Sequence, residues 1–152
     1  MVEVTGGLFT VGVFQDVAWA EKGLKALQAS GFPLGAVSFI AKDSPDVTAL
    51  AERTFGRSVG TMEIHAVGTA RANGPIVDAL QGSDESLTKH GIAASAKRIG
   101  FQAHDGRIFE RLTGRGGVLV AVSSDSRASD ALALMFSYGG GNAAIGAWSG
   151  RL

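Results

Sequence analysis

The length and composition of the chain are those of one globular domain. Its 152 residues are 45% hydrophobic and 18% charged, which excludes disorder caused by excess charge and leaves enough apolar surface for a core. Lysine plus arginine equals aspartate plus glutamate at 14 each, and no basic stripe stands out, so we expect no nucleic-acid partner. A net charge of zero also offers little repulsion against self-association.

The chain contains no cysteine, which excludes disulfides, thiol nucleophiles and thiolate metal sites and fits a reducing compartment. The N-terminal residues Met1–Thr5 lack the basic and apolar regions of a signal peptide. No run reaches the roughly 18 apolar residues that a membrane-spanning helix needs. We therefore expect a cytoplasmic protein with no membrane span.

The N-terminal part of the chain predicts a β-α-β unit, about 8–41. Leu8–Phe14 is rich in β-forming residues. Asp16 is placed to accept hydrogen bonds from the first amides of a helix over Val17–Ala29, whose apolar residues share one face. A second strand is expected over Ala36–Ala41.

The C-terminal part repeats this plan over about 117–149. Val118–Val122 is an apolar run of strand length, Ser126–Tyr138 has a helical apolar stripe, and Ala143–Trp148 is a short final strand. A shift of 108 positions aligns the two hydrophobic patterns without a gap. Two such units predict a single α+β domain over 1–152. Its expected plan is ferredoxin-like, a four-stranded sheet with helices on one face.

A middle insertion, about 43–115, is expected to contain helices and one strand. Its expected elements are a helix opened by Ser44–Asp46 and running through Val47–Phe55, a strand over Val59–Thr69, a short helix over Pro75–Leu80, a turn over Glu85–His90, and two helical pieces within Ala93–Leu112 interrupted at Gly100 and Gly106. Neither glycine-rich stretch near the C-terminal unit has the strand–loop–helix order of a phosphate-binding loop.

Three stretches of the chain share their pattern with one known family. They are Thr10–Phe14 with the helix and Gly31–Phe32 that follow, Gly74–Leu80 with His90–Ile92, and Phe109–Arg111 with Gly116–Val122. On these residues the chain resembles the general stress protein family with the YflT-type heat-induced stress domain. The resemblance implies a stress-associated bacterial protein, and it supplies no catalytic residue and no cofactor.

Glu63 and His65 are the main candidates for chemistry. They are two residues apart in an expected strand, so both side chains project from one face, as two metal ligands or an acid–base pair would. His104 is the candidate for a third ligand. The simpler interpretation is a polar, solvent-facing edge strand. The chemical interpretation gives our alternative hypothesis, a small-molecule- or metal-binding α+β domain that uses these three residues. An enzyme is one version of this hypothesis.

The leading hypothesis is a non-enzymatic protein that acts through self-association or by docking to a protein partner, without a cofactor. The open face of a four-stranded sheet, including Val11, Val13 and Leu119, would be covered by another subunit or by the middle segment. Arg107 and Arg111, one helical turn apart, are further interface candidates, since arginine is favoured at protein contacts. A solvated charged helix face is the simpler interpretation of this arginine pair.

Overall fold

The computed structural model describes residues 8–56, 59–123, 127–140 and 147–151. The strands in these ranges are β1 (Leu8–Phe14), β2 (Val37–Lys42), β3 (Thr61–Ile64), β4 (Gly68–Asn73), β5 (Val118–Ser123) and β6 (Ala147–Arg151). The α-helices are α1 (Val17–Ala29), α2 (Pro45–Phe55), α3 (Pro75–Gln81), α4 (Ser86–Arg98), α5 (Ala103–Gly114) and α6 (Ala128–Met135). A short 3-10 helix covers Leu34–Ala36, and a π-helical turn covers Phe136–Gly140.

The described strands form one antiparallel sheet in the order β3-β4-β2-β5-β1-β6. β5 lies inside this sheet, between β1 and β2, and is apolar on both faces. Leu119 and Ala121 belong to one core cluster, whereas Val118, Val120 and Val122 belong to the other. All five side chains are buried, so both faces of the sheet have to be covered.

Two helical layers cover the two faces. One layer contains α1, α2 and α6, which contribute Leu27, Leu50 and Met135 to its core. The other contains α3, α4 and α5, which contribute residues such as Leu80 and Phe109. The protein therefore has an α+β fold. Its sheet has six described strands with helices on both faces, which differs from the expected four strands with helices on one face. The middle segment adds β3 and β4 beyond β2 and supplies the second helical layer.

The first β-α-β unit closely follows the sequence expectation. β1 and α1 have the predicted bounds, and the Asp16 carboxylate accepts a hydrogen bond from the Trp19 amide at 2.9 Å. The Ser44 hydroxyl accepts from the Val47 amide at 3.1 Å in the same way, and α2 begins with Pro45. The expected helix in the middle segment is thus confirmed, and both helices are fixed by local caps.

The expected single strand over Val59–Thr69 is instead a hairpin, β3 and β4. Ala66 and Gly68 have φ angles of 70° and 101°, and the Val67 amide donates to the Ile64 carbonyl at 3.0 Å, which closes the turn. Positive φ angles end the extended conformation at this point. His65 consequently lies in the turn and not beside Glu63 in a strand, which corrects the expected pairing.

The helical region after α3 is broken at Gly91, where φ is 91° and ψ is −177°. This break separates 86–90 from 92–98, and the Glu110 carboxylate of α5 accepts from the Ala93 amide at 3.2 Å, so it caps the second half. Gly100 lies in the loop before α5, as expected. The expected break at Gly106 is wrong, because its missing side chain lets α5 pack against the Ala93 backbone.

The C-terminal elements are shorter than expected or shifted. α6 ends at Met135, and the π-helical turn that follows contains Gly139 at φ 92°. β6 begins at Ala147, and residues 143–146 of the expected strand lie outside the described residues.

We expect Gly91→Ala to lower the free energy of unfolding by about 2–4 kcal/mol. Its φ and ψ belong to a region open almost only to glycine, and a Cβ there would clash with the Glu110 carboxylate and lie 2.9 Å from the His65 carbonyl oxygen. Urea unfolding followed by circular dichroism measures the loss.

Gly56→Ala is the matched control. Gly56 ends α2 in the left-handed region, at φ 70°, with open space around the missing Cβ, so only about 1 kcal/mol should be lost. Equal losses for the two variants would show that the packing of α4 on α5 does not constrain residue 91.

Candidate functional site

The three residues proposed for chemistry do not converge. Glu63, His65 and His104 are all exposed. His104 lies in the first turn of α5, whereas the last residue of that helix, Gly114, lies beside the backbone of Ala66 in the β3–β4 turn. The rise of an α-helix separates the two ends of α5 by roughly 15 Å. His104 is therefore remote from the turn that carries His65.

Glu63 has a structural partner in the hairpin. It lies opposite Thr69 in the β3–β4 pairing, and the Thr69 hydroxyl donates a hydrogen bond to its carboxylate. Within the part of the chain that the structure describes, no three His, Asp or Glu side chains form a group able to hold a metal ion. These observations favour the polar edge strand and give the metal-binding hypothesis no support.

The residues proposed for an interface divide into two groups. Val11, Val13 and Leu119 are at most 1% exposed and lie in the core beneath α3, α4 and α5. The middle segment thus covers this face of the sheet, which was the second of the two expected possibilities, and their assignment as interface residues is corrected. Arg107 and Arg111 are exposed on α5.

A depression of about 430 Å³ lies where α1 and α2 begin, next to the loop before β5. Helix N-termini attract anions through their free amides. Here the Asp16 and Ser44 side chains already accept hydrogen bonds from first-turn amides. The negative charge of Asp46 also offsets the positive charge of Lys42. The depression therefore lacks the electrostatics of an anion site.

A second groove, of about 340 Å³, runs between α1 and α2. Its charged side chains contact one another, because Arg53 makes a bidentate contact with Glu21 at 2.8 and 3.1 Å, and Lys25 lies 3.8 Å from the same carboxylate. The hydrogen bonds from Arg53 lower the pKa of Glu21 below its ordinary value. Each charged side chain of this groove is thus already engaged in an ion pair.

Phe136 is the most exposed large apolar side chain among the described residues, at 60% of its surface. It follows α6 and lies four residues after the half-buried Leu132, so the two share one side of the helix. Asp130 and Leu134 line the opposite side, in a groove shared with Ser30 at the end of α1.

α6 packs over β1 and β6, with α1 as its neighbour on one side. The side of α6 that carries Leu132 and Phe136 is opposite the groove shared with α1, and β6 is the terminal strand among those described. We call Leu132, Phe136 and the backbone of β6 the β6–α6 edge. It combines strand groups that pair with no other described strand with exposed apolar surface, which is the composition of an interaction surface.

Contacts at both ends of α6 hold it against α1. At the start, Arg127 donates to the Ser30 carbonyl at 2.8 Å, and its guanidinium lies 4.2 Å from the centre of the Phe32 ring. At the other end, Trp19 lies next to Gly139, and Lys22 stands 4.5 Å above the Trp19 ring. These contacts fix which side of α6 faces α1.

The sequence interpretation did not single out Phe136. Within α6 the apolar side chains that pack on the sheet are Ala131 and Met135. The spacing of four between Leu132 and Phe136 was a signal of a second apolar face, but it marks a surface only once the neighbours of α6 are known.

No protein-family model, curated protein or solved structure matches this chain. None of the helices in the described ranges has the length and apolarity needed to cross a membrane. The functional assignment therefore depends on the geometry together with the sequence pattern.

We expect Arg127→Ala to lower the free energy of unfolding by about 1–2 kcal/mol, because a charged hydrogen bond and a cation–π contact are lost. Hydrogen exchange should accelerate in 128–140 and not in α4. Arg107→Ala removes an arginine with no described side-chain partner, and stability should then change by less than about 0.5 kcal/mol. Unchanged exchange in 128–140 would contradict the anchoring role of Arg127.

Proposed function

We propose that the chain is a non-enzymatic protein of the general stress type that self-associates by pairing the β6–α6 edges of two copies. Two observations carry the proposal: β6 is the terminal strand among those described, and Phe136, at the end of the helix that packs over β1 and β6, is 60% exposed. An unpaired edge strand presents a row of backbone donors and acceptors to another chain. The apolar side chain beside it adds a contact that excludes water.

A second copy complements this edge by symmetry. Antiparallel pairing of β6 with β6 of another chain satisfies the same backbone groups on both sides around a two-fold axis. If that axis is perpendicular to the sheet, both α6 helices lie on the same face, one on each side of the junction. Phe136 of each copy is then buried between them. The net charge of zero adds no repulsion between copies.

The opposite edge of the sheet is less suited to pairing. β3 has only four residues, and the charged side chain of Glu63 is exposed on it. Short length and charge are features by which edge strands avoid pairing with other chains. The two edges therefore differ, and β6 is the one favoured for self-association.

The proposed edge also has a place in a simpler architecture. We interpret β1, β2, β5 and β6, with α1 and α6, as a ferredoxin-like unit that β3 and β4 extend. The order β2-β5-β1-β6 and the shared face of the two helices support this interpretation. In such a unit β6 is an end strand, whereas the other end is occupied by β4.

The general stress assignment is supported by the resemblance of the sequence to the family with the YflT-type domain. The stretches that carry it include Thr10–Phe14, within β1, and Val118–Val122, within β5. A cysteine-free chain fits a cytoplasmic site of action. The proposed role requires neither a cofactor nor a catalytic residue.

Phe136→Asp tests the proposal. The wild-type protein should show twice the 15.6 kDa chain mass by light scattering. The variant should dissociate at concentrations at least about tenfold higher, since a buried charge replaces a buried aromatic ring. Because Phe136 is exposed in one copy, the monomer should remain folded by circular dichroism.

Leu34→Asp is the matched control. Leu34 is also an exposed apolar residue, at 38%, but it lies in the 3-10 helix before β2, away from the β6–α6 edge. It should leave the dimer intact. A wild-type protein that stays monomeric at high concentration, or equal dissociation of the two variants, would overturn the proposal.

A further inference from the structure

The balanced net charge conceals an uneven distribution along the chain. Residues 1–85 carry six lysines and arginines against ten aspartates and glutamates, a net charge of −4. Residues 86–115, which contain α4 and α5, carry six against two, a net charge of +4. The basic charge is thus concentrated in the helical layer on the β-sheet face opposite α6.

Three arginines of this layer form one line. Arg107, Arg111 and Arg115 follow one another at intervals of four residues and are all exposed. They lie opposite the buried face of α5, which consists of Gly106, Phe109 and Thr113. At 1.5 Å of rise per residue, the line is roughly 12 Å long. We call these three residues the α5 arginine stripe.

The side chains of the stripe differ from the other arginines in their partners. The remaining arginines whose side chains the structure describes each pair with an acidic residue: Arg53 with Glu21, Arg71 with Asp43, Arg98 with Asp84 and Arg127 with Asp130. No ion pair or side-chain hydrogen bond joins a residue of the stripe to another described residue. The stripe therefore offers three guanidinium groups to an external partner.

The stability of α5 explains only part of the stripe. Arg111 and Arg115 lie at the C-terminal end, where positive charge interacts favourably with the free carbonyl groups. Arg107 lies in the middle of the helix and gains nothing in this way. Like charges four residues apart also repel each other. Glu110, three residues from Arg107 and next to Arg111, already accepts a hydrogen bond from the Ala93 amide.

Arginine is suited to carboxylates because its planar guanidinium donates two parallel hydrogen bonds to them. Carboxylates at intervals of four residues on a partner helix have the same spacing, roughly 6 Å, as the stripe. Ile108 lies half-buried on the same side of α5 and adds an apolar contact between the charged groups. The complementary surface is therefore an amphipathic helix with an acidic row and an apolar residue beside it.

A nucleic-acid backbone fits the stripe less well. Proteins that bind it usually have a large basic excess, whereas this chain has a sequence pI of about 6.8, and its first 85 residues are acidic. Charge complementarity therefore favours a protein partner.

We propose that the α5 arginine stripe is a docking surface for an acidic amphipathic helix of a partner protein. This inference adds a second surface, for a different protein partner, to the proposed self-association. The stripe lies in the helical layer opposite α6, so its occupancy is measured separately from self-association. Failure of one proposal leaves the other testable.

The experiment titrates the full chain into a labelled helical peptide and follows fluorescence anisotropy. The peptide has about 20 residues, enough to form a helix, with glutamates at intervals of four and leucines beside them. A scrambled peptide of the same composition tests the spacing. The triple variant Arg107→Gln, Arg111→Gln, Arg115→Gln tests the stripe. Lys22→Gln, Lys25→Gln, Lys42→Gln removes three exposed cations from α1 and the end of β2, outside α4 and α5, as the matched control.

Wild-type protein should bind the ordered peptide at least about tenfold more tightly than the scrambled one, and affinity should fall with added salt. The arginine variant should lose at least about tenfold in affinity, and the lysine variant less than about twofold. The charge-reversed variant, in which all three arginines of the stripe are replaced by glutamate, should bind a peptide that has lysines in place of its glutamates. No binding, equal binding of the two peptides, equal losses in the two variants, or tighter binding of duplex DNA at the same salt would overturn the proposal.

Discussion

The five apolar side chains of Val118–Val122 are removed from water on both faces of the sheet, three toward one helical layer and two toward the other. Burial of each side chain of valine or leucine size contributes about 1.5–3 kcal/mol, and this gain is available only when both layers are present. β5 also joins β1 to β2, so the two β-α-β units meet in one strand. The middle segment is for this reason part of the core and not an appended insertion.

Local signals predicted the elements that local contacts fix. β1 and α1 have the expected bounds because a β-rich run is followed by a capping residue, Asp16, whose partner lies three residues away. The elements that tertiary contacts fix could not be predicted in this way. Ala66 adopts a positive φ without being glycine, and Gly106 stays helical because α5 approaches Ala93 there. No feature within a few residues of either position indicates these outcomes.

The same distinction explains the outcome for the candidate site. The expected pairing of Glu63 with His65 assumed that side chains alternate between the two faces of one continuous strand. The strand ends at Ile64, where the hairpin turn begins. The interface role of the open sheet face depended on whether the middle segment folds over it, and periodicity carries no information on that point. The charge balance was misleading for another reason, because equal totals conceal the separation of −4 in residues 1–85 from +4 in residues 86–115. The stripe is visible in the sequence once charge is counted by segment.

Helices cover both faces of the sheet, so the surfaces proposed for binding lie at its periphery. They are the β6–α6 edge and the outer face of α5. The two proposed surfaces are compatible in space. A two-fold axis perpendicular to the sheet at the β6 junction leaves both α3–α5 layers on the same side of the extended sheet. A dimer of this kind presents two α5 arginine stripes to one partner, and the second contact then forms at the high effective concentration set by the first. Self-association would in this way strengthen the binding of a partner that carries two acidic helices, without any new contact within the chain.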